Sequence, residues 1–312
     1  MFPSLFRLAS PFDPRLQVQI CRLATKANAT VLPRTVNEQL SISKMAVATA
    51  QSGKKAFGTS PIPPANMASL KLQSAEMVNH NTKRLRFEFP DSEATSGLAL
   101  TQATLALAFP NGGWIPAPRP YTPVSTPTQK GFIEYLVKLY PNGKGSGTLH
   151  SLQPGQSMRF MPIPVGMYRH NAEKHNQVAM IAGGAGITPM YTFARSLLAD
   201  PADRTKLTLI WGVNEPKDLF LKDEFLQMEK DHPDRFRSVF AISKTDGGEE
   251  VPEGYKKGYI SPEMLKEVGV QKVDGLKVLV CGPPPFENAL LKGKEGGVLG
   301  AMGFKKADIH QF

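Results

Sequence analysis

The second half of the chain alternates short apolar segments with segments of helical period, and this alternation constrains the fold more than any other feature. The apolar segments read VAMIAGG, KLTLIWGV, RFRSVFAIS and LKVLVCGP, and helix-like stretches such as TPMYTFARSLLAD and LKDEFLQMEKDH follow them. Strands that are apolar throughout are typical of a parallel sheet covered by helices on both faces. Residues 171–312 are therefore predicted to form an α/β domain whose ligand binds beyond the carboxyl ends of the strands.

Residues 69–165 have a different pattern. Short alternating or apolar runs, among them TKRLRFEFP, LALTQATLALAF, FIEYLVKLY and SMRFMP, are separated by Pro and Gly. Runs of strand length at close spacing, without a long helical period, favour a small antiparallel barrel. We assign this barrel to residues 58–170, so that the chain of 312 residues holds two domains of ordinary size.

The first 57 residues carry much of the chain's excess positive charge. Of the 37 Lys and Arg and 27 Asp and Glu, eight bases and two acids lie here, which leaves 29 bases against 25 acids. The nearly balanced remainder argues against nucleic-acid binding. The Arg-rich, acid-poor composition resembles a mitochondrial presequence, and the other interpretation is a disordered basic tail. The stretch AFGTSPIPPANMASL is predicted to be a linker.

Cysteine usage and hydropathy restrict the class of protein further. Two cysteines, Cys21 and Cys281, are too few for a disulfide framework, so a reducing compartment or no redox dependence is expected. No apolar run approaches the roughly 18 residues of a membrane-spanning helix. No metal site is predicted.

Two glycine-rich turns are candidates for phosphate binding. In IAGGAGITPM, Gly183, Gly184 and Gly186 would let the backbone approach a pyrophosphate at the start of a helix, although close packing of strand and helix also requires glycine. In YPNGKGSGTLHSL, Lys144 and Ser146 are placed to contact a phosphate. Neither turn matches the common G-x-G-x-x-G or P-loop pattern.

Two proline-rich stretches complete the set of motifs. In RPYTPVS, residues 119–125, the prolines predict a rigid, extended strip that directs the side chains of an arginine, a tyrosine and a threonine. In LVCGPPPFENAL, three prolines are predicted to form a wall that resists helix formation beside the end of the last strand.

Together these motifs resemble the NADH–cytochrome b5 reductase family of the ferredoxin–NADP reductase-like flavoproteins. The resemblance runs from about residue 69 to Phe312, and it depends on RPYTPVS, GGAGITPM and CGPPPF in that order. It implies a six-stranded Greek-key barrel that binds FAD, followed by a parallel-sheet domain that binds NADH. The basic N-terminal segment points to the mitochondrial fungal-type members.

The resemblance also implies a set of FAD-binding residues. Arg119 would pair with the pyrophosphate, Tyr121 would lie along the ribityl chain, and Thr122 would reach N5 of the flavin. The FAD-binding residues implied in this way are Arg119, Pro120, Tyr121, Thr122, Val137, Lys138, Tyr140, Gly143, Lys144, Gly145 and Ser146.

A second set is implied for NADH. Asp218 would accept hydrogen bonds from the ribose hydroxyls and repel a 2′-phosphate, which would favour NADH over NADPH; the alternative is a solvated carboxylate in a turn. The implied residues are Gly183, Gly184, Gly186, Thr188, Asp218, Cys281, Gly282 and Pro283. Thr122, Cys281 and Lys138 are the residues predicted to touch the path of the hydride, and none of them needs to act as an acid or base.

The chain departs from the family pattern in three places. Ala185 replaces a usual threonine, Phe286 replaces a usual methionine, and RFMPIPVGMYR lacks the Gly-Pro pattern after the last barrel strand. Two alternatives therefore stay open: an NADPH-dependent reductase with another acceptor, and a mitochondrial FAD-binding assembly or maintenance factor without turnover.

The favoured hypothesis is an enzyme that passes hydride from NADH to FAD and single electrons to a haem protein such as cytochrome b5. We expect a monomer that binds no nucleic acid and that associates peripherally, or through its N-terminus, with a membrane. The intermembrane space or outer membrane of mitochondria is the expected location.

Overall fold

The computed structural model describes residues 54–57, 67–109, 117–164, 166–244 and 253–312. The predicted presequence lies outside these ranges apart from residues 54–57. The predicted linker, residues 56–70, is described only at its two ends, and there the prediction is wrong: Ala68 begins the first strand, and Phe57 and Leu70 are buried in the core of the first sheet. The first sheet is antiparallel and has the strand order β4-β3-β6-β1-β2-β5. Its strands are β1 Ala68–Met77, β2 Thr82–Glu88, β3 Thr104–Ala108, β4 Ala117–Tyr121, β5 Phe132–Lys138 and β6 Ser157–Pro162. Helix α1, Lys144–Ser151, lies between β5 and β6.

The second sheet is parallel throughout and has the order β10-β9-β8-β7-β11-β12. Its strands are β7 Gln177–Gly183, β8 Lys206–Val213, β9 Phe236–Ile242, β10 Tyr255–Lys257, β11 Leu276–Cys281 and β12 Ile309–Gln311. The helices of this region are α2 Ile187–Ala199, α3 Lys222–Asp231, α4 Pro262–Glu267, α5 Pro284–Leu291 and α6 Gly297–Ala301.

The two sheets confirm the predicted fold class. Along β7, Val178 and Met180 pack into one apolar cluster, whereas Ala179 and Ile181 pack into another. Successive residues of a strand point to opposite faces, so both faces of this sheet are covered. The antiparallel sheet curls around a separate core in which the Tyr135 and Phe160 rings stack at 5.0 Å between centroids. The boundaries at residues 57 and 170 stay predictions.

Two local predictions were wrong. The run LALTQATLALAF was expected to be strand, but only its second half, β3, pairs in the sheet. The three prolines after Cys281 do not resist a helix, because Pro284 and Pro285 form the first turn of α5. A proline is accepted there since the first N–H groups of a helix have no intrahelical partner.

RPYTPVS begins at the edge of the antiparallel sheet. Pro118 and Pro120 lie in β4 opposite Leu107 and Leu105 of β3. Edge strands are where a sheet accepts proline, since the missing N–H removes no bond to a second neighbour. The predicted extended backbone is thus confirmed for the first residues of the strip. Among the described residues, no helix combines the length and the apolar character needed to cross a bilayer.

Candidate functional site

Arg119 is presented from the edge strand β4. The side chain is exposed, and its Nη1 atom donates to the Pro118 carbonyl at 2.8 Å. Within the described ranges the guanidinium has no acidic partner. A guanidinium in this position offers donors that match the oxygens of a phosphate.

Helix α1 begins directly against Arg119. A Cβ atom on Gly145 would lie 2.6 Å from Cγ of Arg119, so only glycine allows this approach. The N-cap residue Gly143 supplies no side-chain cap, and the first turn contains no acid. The unpaired N–H groups and the positive end of the helix dipole favour an anion. Arg119, Lys144 and this helix start therefore form a cradle whose chemistry fits the diphosphate of FAD.

A cleft of about 780 Å³ opens over this helix start. Asn142 adopts a positive φ of 59° in the turn before it, a conformation that asparagine tolerates better than most residues. The cleft is lined by Phe109, Leu139, Tyr140, Pro141, Asn142, Gly143, Lys144, Gly147, Thr148 and Ser151.

Two predicted FAD contacts have other partners. The Ser146 hydroxyl donates to the Gly143 carbonyl at 3.2 Å and accepts from the Tyr140 N–H at 3.3 Å, so it shapes the loop. The side chain of Val137 is buried in the barrel core, and its carbonyl lies 2.7 Å from Nε2 of His150. Both groups therefore have partners within the protein, and their contact with FAD stays a prediction.

Tyr121 and Thr122 lie where β4 ends. Tyr121 packs against the barrel core, and burial raises its pKa to about 12. Thr122 is half-buried, and within the described part of the chain its hydroxyl makes no hydrogen bond to another residue. An unengaged hydroxyl at the end of the strip is compatible with the predicted contact to a flavin.

A second cleft, of about 430 Å³, lies at the carboxyl ends of the parallel strands. Lys138 and Tyr140 border it from the barrel, and Gly183, Gly184 and Pro283 border it from the parallel sheet. The remaining lining residues are Gly212, Val213, Asn214, Ala241, Ser243, Gly258, Tyr259, Ile260, Pro285, Phe286, Ala289 and Leu290. This is the position at which a doubly covered parallel sheet binds its ligand.

Helix α2 begins just after Gly183 and Gly184, which line this cleft, and its start has the chemistry of an anion site. Its N-cap residue Gly186 provides no side-chain cap and its first turn has no acid. Trp211 fixes the preceding turn by donating from Nε1 to the Gly184 carbonyl at 2.9 Å. Thr188 donates to the Ala185 carbonyl at 3.3 Å, so its hydroxyl closes the turn.

The glycines of this region serve packing as well as access. A Cβ on Gly183 would lie 2.7 Å from the Phe286 ring, and one on Gly282 would lie 2.5 Å from the same ring. A Cβ on Gly186 would lie 2.2 Å from the Cys281 carbonyl oxygen. Gly184, with φ of +51°, is the most open, since the nearest atom to a Cβ is the Tyr140 hydroxyl at 3.4 Å. Gly183 and Gly186 thus have the packing role that the sequence left open.

Cys281 is the last residue of β11 and its thiol is not ionised at neutral pH. Burial, and secondarily the charge of Glu287, raises the pKa of the thiol to about 12. The neighbouring Gly282 N–H donates to Oε1 of Glu287 at 3.1 Å, which holds the backbone at this point. Since the thiolate is the reactive form of cysteine, Cys281 offers a neutral contact surface and no acid, base or nucleophile.

The thiol of Cys281 is therefore expected to resist alkylation in the native protein. Iodoacetamide at pH 8 should leave the Cys281 peptide unmodified over a period in which the urea-unfolded protein is modified completely, as measured by mass spectrometry of the digest. Equal rates in the native and unfolded proteins would contradict the raised pKa.

Asp218 makes contacts that differ from the predicted ones. The carboxylate is buried, 5% exposed, and its Oδ1 atom lies 2.8 Å from Nζ of Lys138 and accepts from Asn81 at 3.0 Å. The Glu215 N–H donates to Oδ2 at 3.4 Å. Burial alone would raise the pKa of Asp218, but the hydrogen bonds from Lys138 and Asn81 outweigh it and lower the pKa. Asp218 does not line the second cleft, so the contacts favour a structural role over recognition of a ribose.

Tyr140 connects the two clefts. It lines both of them, and the Ala185 backbone is near enough to its phenol to lower the phenol's pKa. Burial is the main reason that its pKa is raised. A single side chain therefore separates the diphosphate cradle of α1 from the glycine-rich turn before α2.

Several lining residues were missed at the level of sequence. Asn214 and Ser243 follow the carboxyl ends of β8 and β9, where ligand-binding residues are expected, and this signal was available. Tyr259 is 78% exposed beside the cleft. It was missed because the three-residue strand β10 before it is too short to give a periodic pattern.

Comparison with known proteins gives two family-model matches. Residues 69–170 match the model described as an oxidoreductase FAD-binding domain, and residues 180–292 match the model of an oxidoreductase NAD-binding domain. The first match spans the antiparallel sheet, and the second spans the parallel sheet from within β7 to β11.

Curated relatives and solved structures agree with these matches. A protein of Emericella nidulans named NADH-cytochrome b5 reductase 2 is 41% identical over 256 residues, 78% of this chain and 77% of that protein. The protein of the same name from Pyricularia oryzae is 39% identical over 85% of this chain and 82% of that protein. The cytochrome b5 reductase domain of Ulva prolifera nitrate reductase has a similar fold, with a TM-score of 0.69 and 24% identity over 80% of this chain and 99% of that domain.

Proposed function

Since the chain belongs to the NADH–cytochrome b5 reductase family, we propose that it transfers electrons from NADH, through FAD, to a cytochrome b5-type haem protein. The balanced reaction is NADH plus two oxidised haem proteins giving NAD⁺, one proton and two reduced haem proteins. FAD, when bound, accepts a hydride and returns its two electrons singly. The role of the chain is to hold donor and cofactor in the geometry that this transfer needs.

One observation carries the proposal most directly. Two helices that begin without a side-chain cap or an acid, α1 and α2, start at clefts that share Tyr140. Each start suits one dinucleotide diphosphate. Because Tyr140 lines both clefts, the two dinucleotide sites are neighbours. Direct hydride transfer between two rings requires such neighbouring sites.

Different residues would bind the two diphosphates and contact the two rings. Arg119, Lys144 and the start of α1 would hold the FAD diphosphate, and the start of α2 would hold that of NADH. Thr122 and the neutral Cys281 would contact the rings. No described residue of the clefts has to accept or donate a proton, because the hydride moves between the rings.

The proposal is tested by adding NADH to the purified full-length protein under anaerobic conditions and following flavin absorbance in stopped flow. We expect the protein to be yellow and the flavin band to bleach within milliseconds to seconds, with oxidised cytochrome b5 then restoring the band. A yellow protein that NADH leaves unchanged would overturn the enzyme assignment and favour the FAD-binding factor without turnover. The same experiment with NADPH tests the alternative donor. The contacts of Asp218 give no support to the idea that this residue excludes NADPH.

A mitochondrial location is part of the same proposal, and its support is the composition of residues 1–57. We place the protein in the intermembrane space or at the outer membrane. Fusion of residues 1–57 to a fluorescent protein should direct it to mitochondria. Protease treatment of intact mitochondria should then identify an outer-surface location, and treatment after rupture of the outer membrane should distinguish the intermembrane space from the matrix. Cytosolic fluorescence would refute the targeting role.

The proposed state of association is a monomer that contacts the membrane peripherally or through its N-terminus. Light scattering after gel filtration should give a mass near 34.1 kDa for the full chain. A mass of twice that value would replace the monomer with a dimer.

A further inference from the structure

Side chains of helix α2, which packs on the parallel sheet, form hydrogen bonds to the RPYTPVS strip. Thr192, on helix α2, donates its hydroxyl hydrogen to the Pro123 carbonyl at 2.9 Å. Three residues along the same helix, Arg195 donates from Nη2 to the Val124 carbonyl at 2.7 Å. The two residues that follow Thr122 are thus bonded to the helix that begins at the glycine-rich turn.

The opposite edge of the strip is bonded to the barrel. The Val124 N–H donates to the Glu134 carbonyl at 2.9 Å, and the Glu134 N–H donates to Oγ of Ser125 at 3.1 Å. The Val124 side chain packs into the apolar cluster of α2, which includes Phe193. The strip is therefore hydrogen-bonded to β5 on one side and to α2 on the other.

The Thr192 hydroxyl lies between the first turn of α2 and the RPYTPVS strip. Its oxygen lies 3.0 Å from the carbonyl of Thr188, one helical turn earlier, as well as 2.9 Å from that of Pro123. Thr188 lies in the first turn of α2, and Thr122 directly precedes Pro123. The side chain of Thr192 is buried, 2% exposed, so water does not substitute for it at either carbonyl.

Arg195 is fixed in a similar way. Its guanidinium lies over the Tyr191 ring at 5.0 Å and its Nη1 atom is 3.4 Å from the Tyr191 hydroxyl. Stacking restricts the guanidinium plane, so the bond to the Val124 carbonyl has a defined direction.

We propose that Thr192 and Arg195 are positioning residues for hydride transfer: they set the distance between the flavin strip and the NADH-binding turn. This inference depends on the proposed function. Displacements of about 1 Å between reacting groups change rates by as much as about a hundredfold, and these two bonds are the direct hydrogen-bonded connection from α2 to the strip in the described residues. A role in packing alone would require the shape of Thr192 and not its hydroxyl.

The test compares Thr192→Val, which keeps the shape and removes the hydroxyl, with Thr192→Ser, which keeps the hydroxyl. In Thr192→Val we expect flavin reduction at saturating NADH to slow about tenfold while the KM for NADH stays within twofold. Thr192→Ser should restore most of the rate. With NADH deuterated at the transferred position, the isotope effect should be larger in Thr192→Val than in the wild type, because the hydride step becomes slower.

Arg195→Met supplies a second, independent variant in case Thr192→Val fails to fold or to retain FAD. It removes the bond to the Val124 carbonyl from the partly exposed side of the helix, and it should also lower the rate at an unchanged KM. Arg195→Lys should retain the charge but not the stacked geometry and should be intermediate.

Three results would overturn the inference. They are a wild-type rate in Thr192→Val, an equal loss in Thr192→Ser, or a change confined to KM or to the melting temperature. A wild-type protein that NADH does not reduce would instead refute the proposed function, so the two failures are distinguishable.

Discussion

Replacement of Gly186 by alanine is expected to cost about 3 kcal/mol of unfolding free energy and to slow reduction by NADH about a hundredfold. The added Cβ would lie 2.2 Å from the Cys281 carbonyl oxygen and 2.7 Å from the Gly282 nitrogen, and both are backbone atoms. Backbone cannot rotate away as a side chain does, so the start of α2 and the end of β11 must move apart. These two segments line the predicted NADH site, and the separation should therefore affect donor binding and rate together.

The backbone conformation of Gly186 does not itself disfavour alanine, so the expected loss comes from the close contact alone. Its φ of −63° and ψ of −1° are accessible to alanine, and a Gly→Ala change without strain stabilises a protein by about 0.4–1 kcal/mol through the unfolded state. The close contact must outweigh this gain. Gly147→Ala is the matched stability control, because no atom lies within 4 Å of its Cβ position. Chemical denaturation should show a loss for Gly186→Ala and none for Gly147→Ala; equal stabilities would contradict the close approach.

Lys138→Met is expected to destabilise the protein by about 3 kcal/mol, because the buried Asp218 carboxylate loses the Lys138 ammonium at 2.8 Å and keeps only His80, at 3.5 Å, as a basic neighbour. The side chains of Lys138 and Asp218 are 11% and 6% exposed and join the end of β5 to the turn after β8. The charge-neutral double variant Lys138→Met with Asp218→Asn should recover most of the loss, since a buried ion pair replaced as a pair is often close to neutral. A double variant no more stable than Lys138→Met would show that the charge is not the cause.

The same variants have a defined pH dependence. In the wild type the pKa of Asp218 is lowered: burial opposes ionisation, but the bonds from Lys138 and Asn81 outweigh it. Such a carboxyl contributes stability above its unfolded-state pKa and loses the contribution as the pH falls. Without Lys138 the hydrogen bond and charge that lower the pKa of Asp218 most are lost while burial remains, so that pKa should rise above its wild-type position and the folded state should favour the charged form less. The stability gap between wild type and Lys138→Met should therefore widen from about pH 4 to about pH 7, as measured by urea unfolding at each pH. A constant gap would contradict this account.

The structure brings predicted site residues into contact across long stretches of sequence, and no rule of sequence spacing predicts these contacts. Arg119 meets Gly145, Tyr140 meets the backbone at Ala185, and Gly186 meets Cys281. Each motif was recognisable alone because glycine and proline restrict the backbone locally. Their mutual contacts depend on how the two sheets pack, which local restriction does not specify.

Several predicted site residues have tertiary partners that their sequence context does not show. Ser146 and Asp218 were assigned to ligands because hydroxyl and carboxylate groups suit phosphate and ribose, but nearby donors and acceptors in the fold engage both. Val137 was assigned to the strand that contacts FAD, and its side chain is buried in the barrel core. The short strands β10 and β12 escaped prediction because three residues are too few to show a period.

The sequence by itself determined the class of each half of the chain, the order of the two domains and the places where the backbone could approach phosphate. It did so because hydrophobic period, glycine and proline act on neighbouring residues. Only the tertiary structure decided which polar groups are hydrogen-bonded within the protein and which remain available to ligands. Thr192 shows the difference most clearly: its sequence context is an ordinary helix, and its meaning comes from the Pro123 carbonyl that folding places 2.9 Å away.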